Sequence, residues 1–200
     1  MRLFIDSGNL DEIQDARKYF NIEGVTTNPK LASPEDVLEI LEEFQLPTSL
    51  QIDTRDRNAV KFAIQKHMEN PLYNIKIPVT SPDIAKQLIA ADVKVNLTLC
   101  CRLTHVIAAV NLGARYVSIF VGRMLDNFLD AHDLIRISRK YIDSMGSSVE
   151  IIAASIRNAD HIELACEAGA HIVTIPHKVL VSCLDHNLTY AGLSDMNQYF

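Results

Sequence analysis

Short β-branched or apolar runs recur along this chain with amphipathic stretches between them, and that rhythm constrains the fold more than any other feature. The runs are Leu3 to Asp6, Gly24 to Thr27, Ser49 to Ile52, Asn74 to Ile77, Val93 to Leu97, Tyr116 to Val121, Val149 to Ala153 and His171 to Ile175. Regular strand–helix alternation specifies an α/β architecture with parallel strands. Eight strands is the number that closes a (β/α)8 TIM barrel.

The intervening stretches carry helix-start chemistry. Asn9 is placed to cap a helix whose first turn holds Asp11 and Glu12, acids that favour the positive end of the helix dipole. Ser33-Pro34-Glu35-Asp36 combines a capping serine with proline at the first helical position. Ser81-Pro82-Asp83 repeats that logic, and Asn158-Ala159-Asp160 opens a helix that Gly169 terminates.

An open, doubly wound sheet is the competing arrangement, and it normally has fewer strands. The first run leads into Asp6-Ser7-Gly8-Asn9, so no dinucleotide glycine fingerprint follows it, and no Walker-type phosphate loop is present. At 200 residues the barrel would be a short one. A single barrel domain over residues 1–200 is expected, since no Gly/Ser/Pro-rich linker divides the chain.

Composition sets the class. Apolar residues make up 48% and charged residues 22% of the chain, as in an ordinary globular protein. The net charge of −6 argues against a general nucleic-acid or anionic-membrane surface, because phosphate backbones are bound through basic patches. The N-terminus acquires Asp6 too early for a signal-peptide core, and no apolar run reaches membrane-spanning length, so a cytoplasmic protein without a membrane partner is expected. Cys100, Cys101, Cys166 and Cys183 form no C-x-x-C pair, and no histidine spacing is of the zinc type. Reduced, mostly buried thiols and no metal are the expectation.

One residue breaks the apolar pattern. In Asn74-Ile75-Lys76-Ile77-Pro78, alternation puts Ile75 and Ile77 on one face, and Asn74 and Lys76 on the face the barrel encloses. Burial favours the neutral amine, a nucleophile able to form a Schiff base with a ketone. The alternative is a strand-end lysine paired with a carboxylate or snorkelling to water.

Active sites of such barrels gather at the carboxyl ends of the strands. Asp6, Thr26, Asn28, Gln51, Lys76, Asn96, Thr98, Ser118, Phe120, Arg123, Ser155 and Arg157 fall there or just beyond. Singly, each has a plain alternative: Asp6 as a helix cap, Asn28-Pro29 as a turn, the arginines in surface ion pairs. Together they supply an amine, a carboxylate for proton transfer, neutral hydrogen-bonding groups and two arginines able to hold a phosphate, with Ser155 adding a donor.

The motifs around these residues resemble the transaldolase family, and more closely its short subfamily, which includes fructose 6-phosphate aldolases. The matching segments are Leu3-Phe4-Ile5-Asp6-Ser7, Gly24-Val25-Thr26-Thr27-Asn28-Pro29 and Ile75-Lys76-Ile77-Pro78-Val79-Thr80. Asn96-Leu97-Thr98-Leu99, Ser118-Ile119-Phe120-Val121-Gly122-Arg123 and Ala153-Ala154-Ser155 continue the match in order, and Asn187 to Leu193 extends it to the tail. The resemblance implies a class I mechanism without cofactor and sugar phosphates as substrates. By that resemblance Lys76 forms the Schiff base and Asp6 is the acid/base, while Asn28 and Asn96 bind the dihydroxyacetone unit. Gln51 and Thr98 position water, and Arg123, Ser155 and Arg157 hold the phosphate, with Thr26 and Ser118 completing the substrate contacts.

Within the family, Phe120 and Asn96 are similar to transaldolases, since the aldolases have a tyrosine and an apolar residue there. Gln51 points the other way, because transaldolases carry a glutamate at that place. The expectation is a transaldolase of the pentose phosphate pathway, with the aldolase, or a catalytically silent barrel, as alternatives. The resemblance also implies a homo-oligomer, a pentamer or decamer, and makes Tyr199 and Phe200 either an interface anchor or a frayed tail.

Overall fold

In a computed structural model describing residues 1–197, eight parallel strands close into a barrel in chain order, the eighth pairing with the first. The first half comprises β1 Arg2–Asp6, α1 Leu10–Tyr19, β2 Ile22–Thr26, α2 Pro34–Phe44, β3 Thr48–Gln51, α3 Ala59–Glu69, β4 Tyr73–Pro78 and α4 Pro82–Ala90. The second comprises β5 Val95–Cys100, α5 Leu103–Leu112, β6 Tyr116–Phe120, α6 Val121–Asp126, α7 Ala131–Ser144 and β7 Glu150–Ala154. After these come α8 Ala159–Glu167, β8 Ile172–Ile175, α9 His177–Ser182 and α10 Asn187–Asn197.

Residue parity organises the barrel. Ile5, Val25, Leu50, Ile75, Ile77, Val95, Leu97, Val117, Ile119, Ile151, Val173 and Ile175 face outward into one core shared with the helices. Their neighbours in sequence face the lumen, as alternation requires. The lumen floor is a separate apolar cluster of Phe4, Tyr116, Ile152 and Ile172. Phe4 and Tyr116 meet edge to face at 6.2 Å, and Gly24 is a glycine for a steric reason: a Cβ there would lie 2.4 Å from the Phe4 ring. Beneath the floor, Glu150 pairs with Arg2 at 2.5 Å and Arg115 at 2.7 Å. Above it, the lumen turns polar.

The caps follow the sequence in three of four cases. Asn9 accepts from Glu12 N–H, Ser33 and Asp36 form a reciprocal capping box, and Asn158 accepts from His161 N–H. Gly169, at φ +86°, ends α8 in the left-handed region that glycine occupies without strain. Ser81 is the exception. It precedes α4, but its hydroxyl donates to Thr54 Oγ1 instead of capping.

Three further expectations are corrected. The sixth strand stops at Phe120, because Val121-Gly122-Arg123 turns at once into α6. The fifth begins at Val95, after a turn in which Asp92 has φ +61°. Of the four unpaired cysteines only Cys100 is buried; Cys166 is exposed, one residue round the helix from the buried face at Ala165. Tyr199 and Phe200 lie outside the described residues. The preceding helix, α10, buries none of its residues.

Candidate active site

The polar upper lumen opens at the carboxyl ends of the strands into a cavity of about 290 Å³. Nine of the twelve residues singled out from the sequence line it: Asp6, Thr26, Asn28, Gln51, Lys76, Ser118, Phe120, Arg123 and Ser155. They arrive from six strands or the turns that follow them, so no local segment could have assembled the set. Lys30, Leu99, Ala154 and Thr174 line it as well.

Lys76 is 7% exposed, and its Nζ donates to the Thr27 carbonyl at 2.8 Å. Among the described residues it has no carboxylate within 4.0 Å, so neither alternative, ion pairing or snorkelling, holds. Burial lowers its pKa, opposed in part by the charge of Asp6. Asp6 shows the opposite response: burial raises its pKa, while a hydrogen bond from Thr26 and the charge of Lys76 pull it back. Both groups are thus pushed toward their neutral forms, which in the amine is the nucleophilic one.

Two hydrogen-bond chains support these groups. Thr26 Oγ1 donates to Asp6 Oδ1 at 2.7 Å and meets Thr174 Oγ1 at 2.6 Å. On the other side, Ser118 Oγ donates to Asn96 Oδ1 at 2.7 Å, and Asn96 Nδ2 donates to Ser49 Oγ at 3.2 Å. Asn96 is fully buried and lies behind the cavity wall, bonded to the cavity-lining Ser118 and beside Lys76 in strand register. Thr98 is also behind the wall, 1% exposed, with its hydroxyl unpartnered. Gln51 stands beside Lys76 in strand register, and its side chain reaches the cavity.

The rim of the cavity that carries Arg123 and Ser155 is built where β6 and β7 meet. Gly122 N–H donates to the Ser155 carbonyl at 3.1 Å, and a Cβ on Gly122 would fall 2.3 Å from that oxygen. Ser155 itself has φ +61°, a left-handed conformation that is uncommon for a residue with a Cβ. The Arg123 guanidinium lies 5.2 Å from the centroid of the Phe120 ring and makes no ion pair with a described residue. Cation–π stacking of this kind fixes the side chain without consuming its hydrogen-bond donors.

Arg157 is where the structure departs most from expectation. Its guanidinium is held by Asp126 through two 2.6 Å contacts, and it does not line the cavity. Reasoning from sequence also passed over Lys30 and Thr174. Alternation in Ile172-Val173-Thr174-Ile175 carries the signal for Thr174, which is the polar lumen position of its strand. No group of three or more His, Cys, Asp and Glu side chains among the described residues is arranged to hold a metal, and no described helix is long and apolar enough to cross a membrane.

Comparison with known proteins gives this geometry a context. Residues 33–200 match the family described as Transaldolase/Fructose-6-phosphate aldolase. A probable transaldolase of Heliobacterium modesticaldum is 37% identical, covering 96% of this chain and 94% of its own. One from Bartonella bacilliformis is 34% identical, over 96% of this chain and 93% of its own. Among solved structures, native KDPGal superposes with a TM-score of 0.62 at 13% identity, covering 86% of this chain and 80% of that one. Flavocytochrome b2 with sulfite bound gives 0.66 at 14%, covering 92% and 59%. These two share the barrel alone.

Proposed function

This chain belongs to the transaldolase/fructose-6-phosphate aldolase family, and from that premise we propose that it is a class I transaldolase acting through a Schiff base on Lys76. The observation carrying the proposal is a buried amine without a carboxylate partner that shares one cavity with a buried carboxylate, Asp6. The neutral amine adds to the C2 carbonyl of a ketose phosphate, and loss of water, with one proton taken up from solvent, leaves the imine protonated on nitrogen. Gln51, which lines the cavity, is suited to orient that water, and Thr98 joins it only if the wall in front of its hydroxyl opens.

Cleavage follows. Asp6 takes the proton of the C4 hydroxyl, the C3–C4 bond breaks, and its electrons pass into the imine to give an enamine on Lys76 and a free aldose phosphate. Addition to a second aldose phosphate reverses these steps, with Asp6 returning its proton to the new hydroxyl. Arg123, with Ser155 beside it, receives the phosphate at the far end of the sugar. Asn28 and Asn96 serve the three-carbon unit, Asn96 through the Ser118 hydroxyl that it orients. Arg157 joins the phosphate set only by leaving Asp126.

Fructose 6-phosphate and erythrose 4-phosphate would give sedoheptulose 7-phosphate and glyceraldehyde 3-phosphate. Phe120 favours transfer over release, because a phenyl ring has no proton to give the enamine. Gln51 favours the second reading, a fructose 6-phosphate aldolase, because by resemblance transaldolases carry a glutamate at that place; its amide cannot act as a base toward water, which slows the imine steps in either reaction. The unburied α10, with Leu188, Tyr190, Leu193 and Met196 exposed, supports assembly into a homo-oligomer.

The test is fructose 6-phosphate turnover with and without erythrose 4-phosphate, followed by borohydride trapping and peptide mapping. Acceptor-dependent product and a three-carbon adduct on Lys76 are expected, and Lys76→Met should lose both while staying folded. Acceptor-independent release of dihydroxyacetone would move the assignment to aldolase. Turnover without an adduct on Lys76 would remove the Schiff-base mechanism, and no turnover at all would leave a silent barrel.

A further inference from the structure

Thr174 ends the lumen face of β8 at 3% exposure, bordering the cavity, and has no chemistry of its own to contribute. Its position relative to Asp6 gives it an indirect one. Thr26 has a single hydroxyl hydrogen, and the 2.7 Å contact to Asp6 Oδ1 uses it. The 2.6 Å contact between Thr26 Oγ1 and Thr174 Oγ1 must then be made by the hydrogen of Thr174. The two hydroxyls are therefore ordered in one direction, from Thr174 to Thr26 to the carboxylate.

We propose that Thr174 is a positioning residue for the aldol step: it holds the Thr26 hydroxyl as a donor aimed at Asp6, and the two-threonine chain reverses its polarity if the shared carboxyl oxygen becomes protonated. This rests on Asp6 being the group that accepts and returns the substrate proton. A hydroxyl pair suits that duty. Each threonine oxygen both donates and accepts, so when Asp6 Oδ1 gains a proton and donates to Thr26, the Thr26 hydrogen swings toward Thr174 and both contacts survive. An amide in place of either hydroxyl has separate donor and acceptor ends and would lose a bond in one of the two states.

Burial raises the Asp6 pKa most, and against it stand the Thr26 hydrogen bond and the charge of Lys76. Charged groups face the cavity from β4 as Lys76, from α6 as Arg123 and from the turn after β2 as Lys30, whereas β2 and β8 contribute only the two hydroxyls. On α1, Glu12 accepts from the Ser7 hydroxyl at 2.5 Å.

The experiment is the pH dependence of kcat/KM for Thr174→Val, Thr174→Ser and Thr26→Val, with the double variant Thr26→Val/Thr174→Val and Asp6→Asn as controls. Valine preserves shape and deletes the hydroxyl. Thr174→Val should move the acid limb upward by about half a pH unit, the scale of one modest hydrogen bond. Thr174→Ser should restore it, and Thr174→Val should add nothing in the Thr26→Val background. A uniform loss at every pH, an equal shift in both backgrounds, or a downward shift, the direction in which Lys76 answers lost charge at Asp6, would overturn the proposal. Substantial turnover by Asp6→Asn would instead overturn the acid/base assignment beneath it.

Discussion

Gly122→Ala tests the claim that the rim proposed to receive the phosphate depends on backbone contact between α6 and the turn after β7. The added methyl would stand 2.3 Å from the Ser155 carbonyl oxygen and 2.9 Å from Arg157 Nε, where real Cβ contacts stay beyond 3.0 Å. The arginine can move aside, but the carbonyl can retreat only if the junction opens. Opening it breaks the 3.1 Å bond from Gly122 N–H to Ser155. Overpacking of this kind costs about 1–3 kcal/mol, and the lost hydrogen bond adds about 1 kcal/mol, so a loss of about 2–4 kcal/mol is expected. Urea unfolding should show the midpoint falling with the slope unchanged. Ser155 and Arg123 are carried on the two segments forced apart, so KM for a phosphorylated ketose should rise more than KM for the unphosphorylated sugar. A variant with native stability and native discrimination between the two would refute the idea that this contact builds the rim. Gly192→Ala is the matched control, because nothing lies within 4 Å of its added methyl.

Phe120→Tyr places a hydroxyl at the cavity and should raise free dihydroxyacetone formation relative to transfer; an unchanged product ratio in the coupled assay would remove the weight given to that ring. Arg123→Ala should lower kcat/KM for phosphorylated donors by about tenfold or more and affect neutral sugars little. Lys30, across the barrel mouth, is exposed as Arg123 is, but no ring among the described residues stacks against it to fix its charge, so Lys30→Gln should change the same constants only a fewfold, and an effect equal to that of Arg123→Ala would reassign the rim. The depressed pKa of Lys76 also has a thermodynamic signature. Between its lowered folded-state value and the ordinary lysine value of 10.5, the unfolded chain binds the extra proton, so this group's contribution to stability rises with pH through that window. Subtracting the stability–pH curve of Lys76→Met from that of the native protein should reveal this rise, and a flat difference would mean that burial does not perturb the amine.

The barrel was legible because residue parity holds through most of its length: Ile75 and Ile77 face the helices while Asn74 and Lys76 face the lumen, and the division slips only at the register shifts in β2, where Ile22 and Val25 both face outward, and in β5, where Leu97 and Cys100 do. Strand-end position was enough to gather most of the cavity lining. It failed for Arg157, because its partner Asp126 lies 31 residues earlier on a different element, and spacing carries no trace of that pairing. Ser81 failed for a similar reason, since its hydroxyl is drawn to Thr54 by tertiary proximity. Thr98 and Asn96 were recognised by type, but strand-end position could not distinguish a group touching the cavity from one buried behind it.

The apolar floor made by Phe4, Tyr116, Ile152 and Ile172 turns the lumen into a cul-de-sac. For the proposed transfer, traffic then has one doorway: the aldose released by cleavage must leave through the same opening by which its replacement enters. The two aldehydes compete for the same loaded enzyme, so the first product should inhibit competitively against the acceptor, and the waiting enamine should meet its partners strictly one at a time.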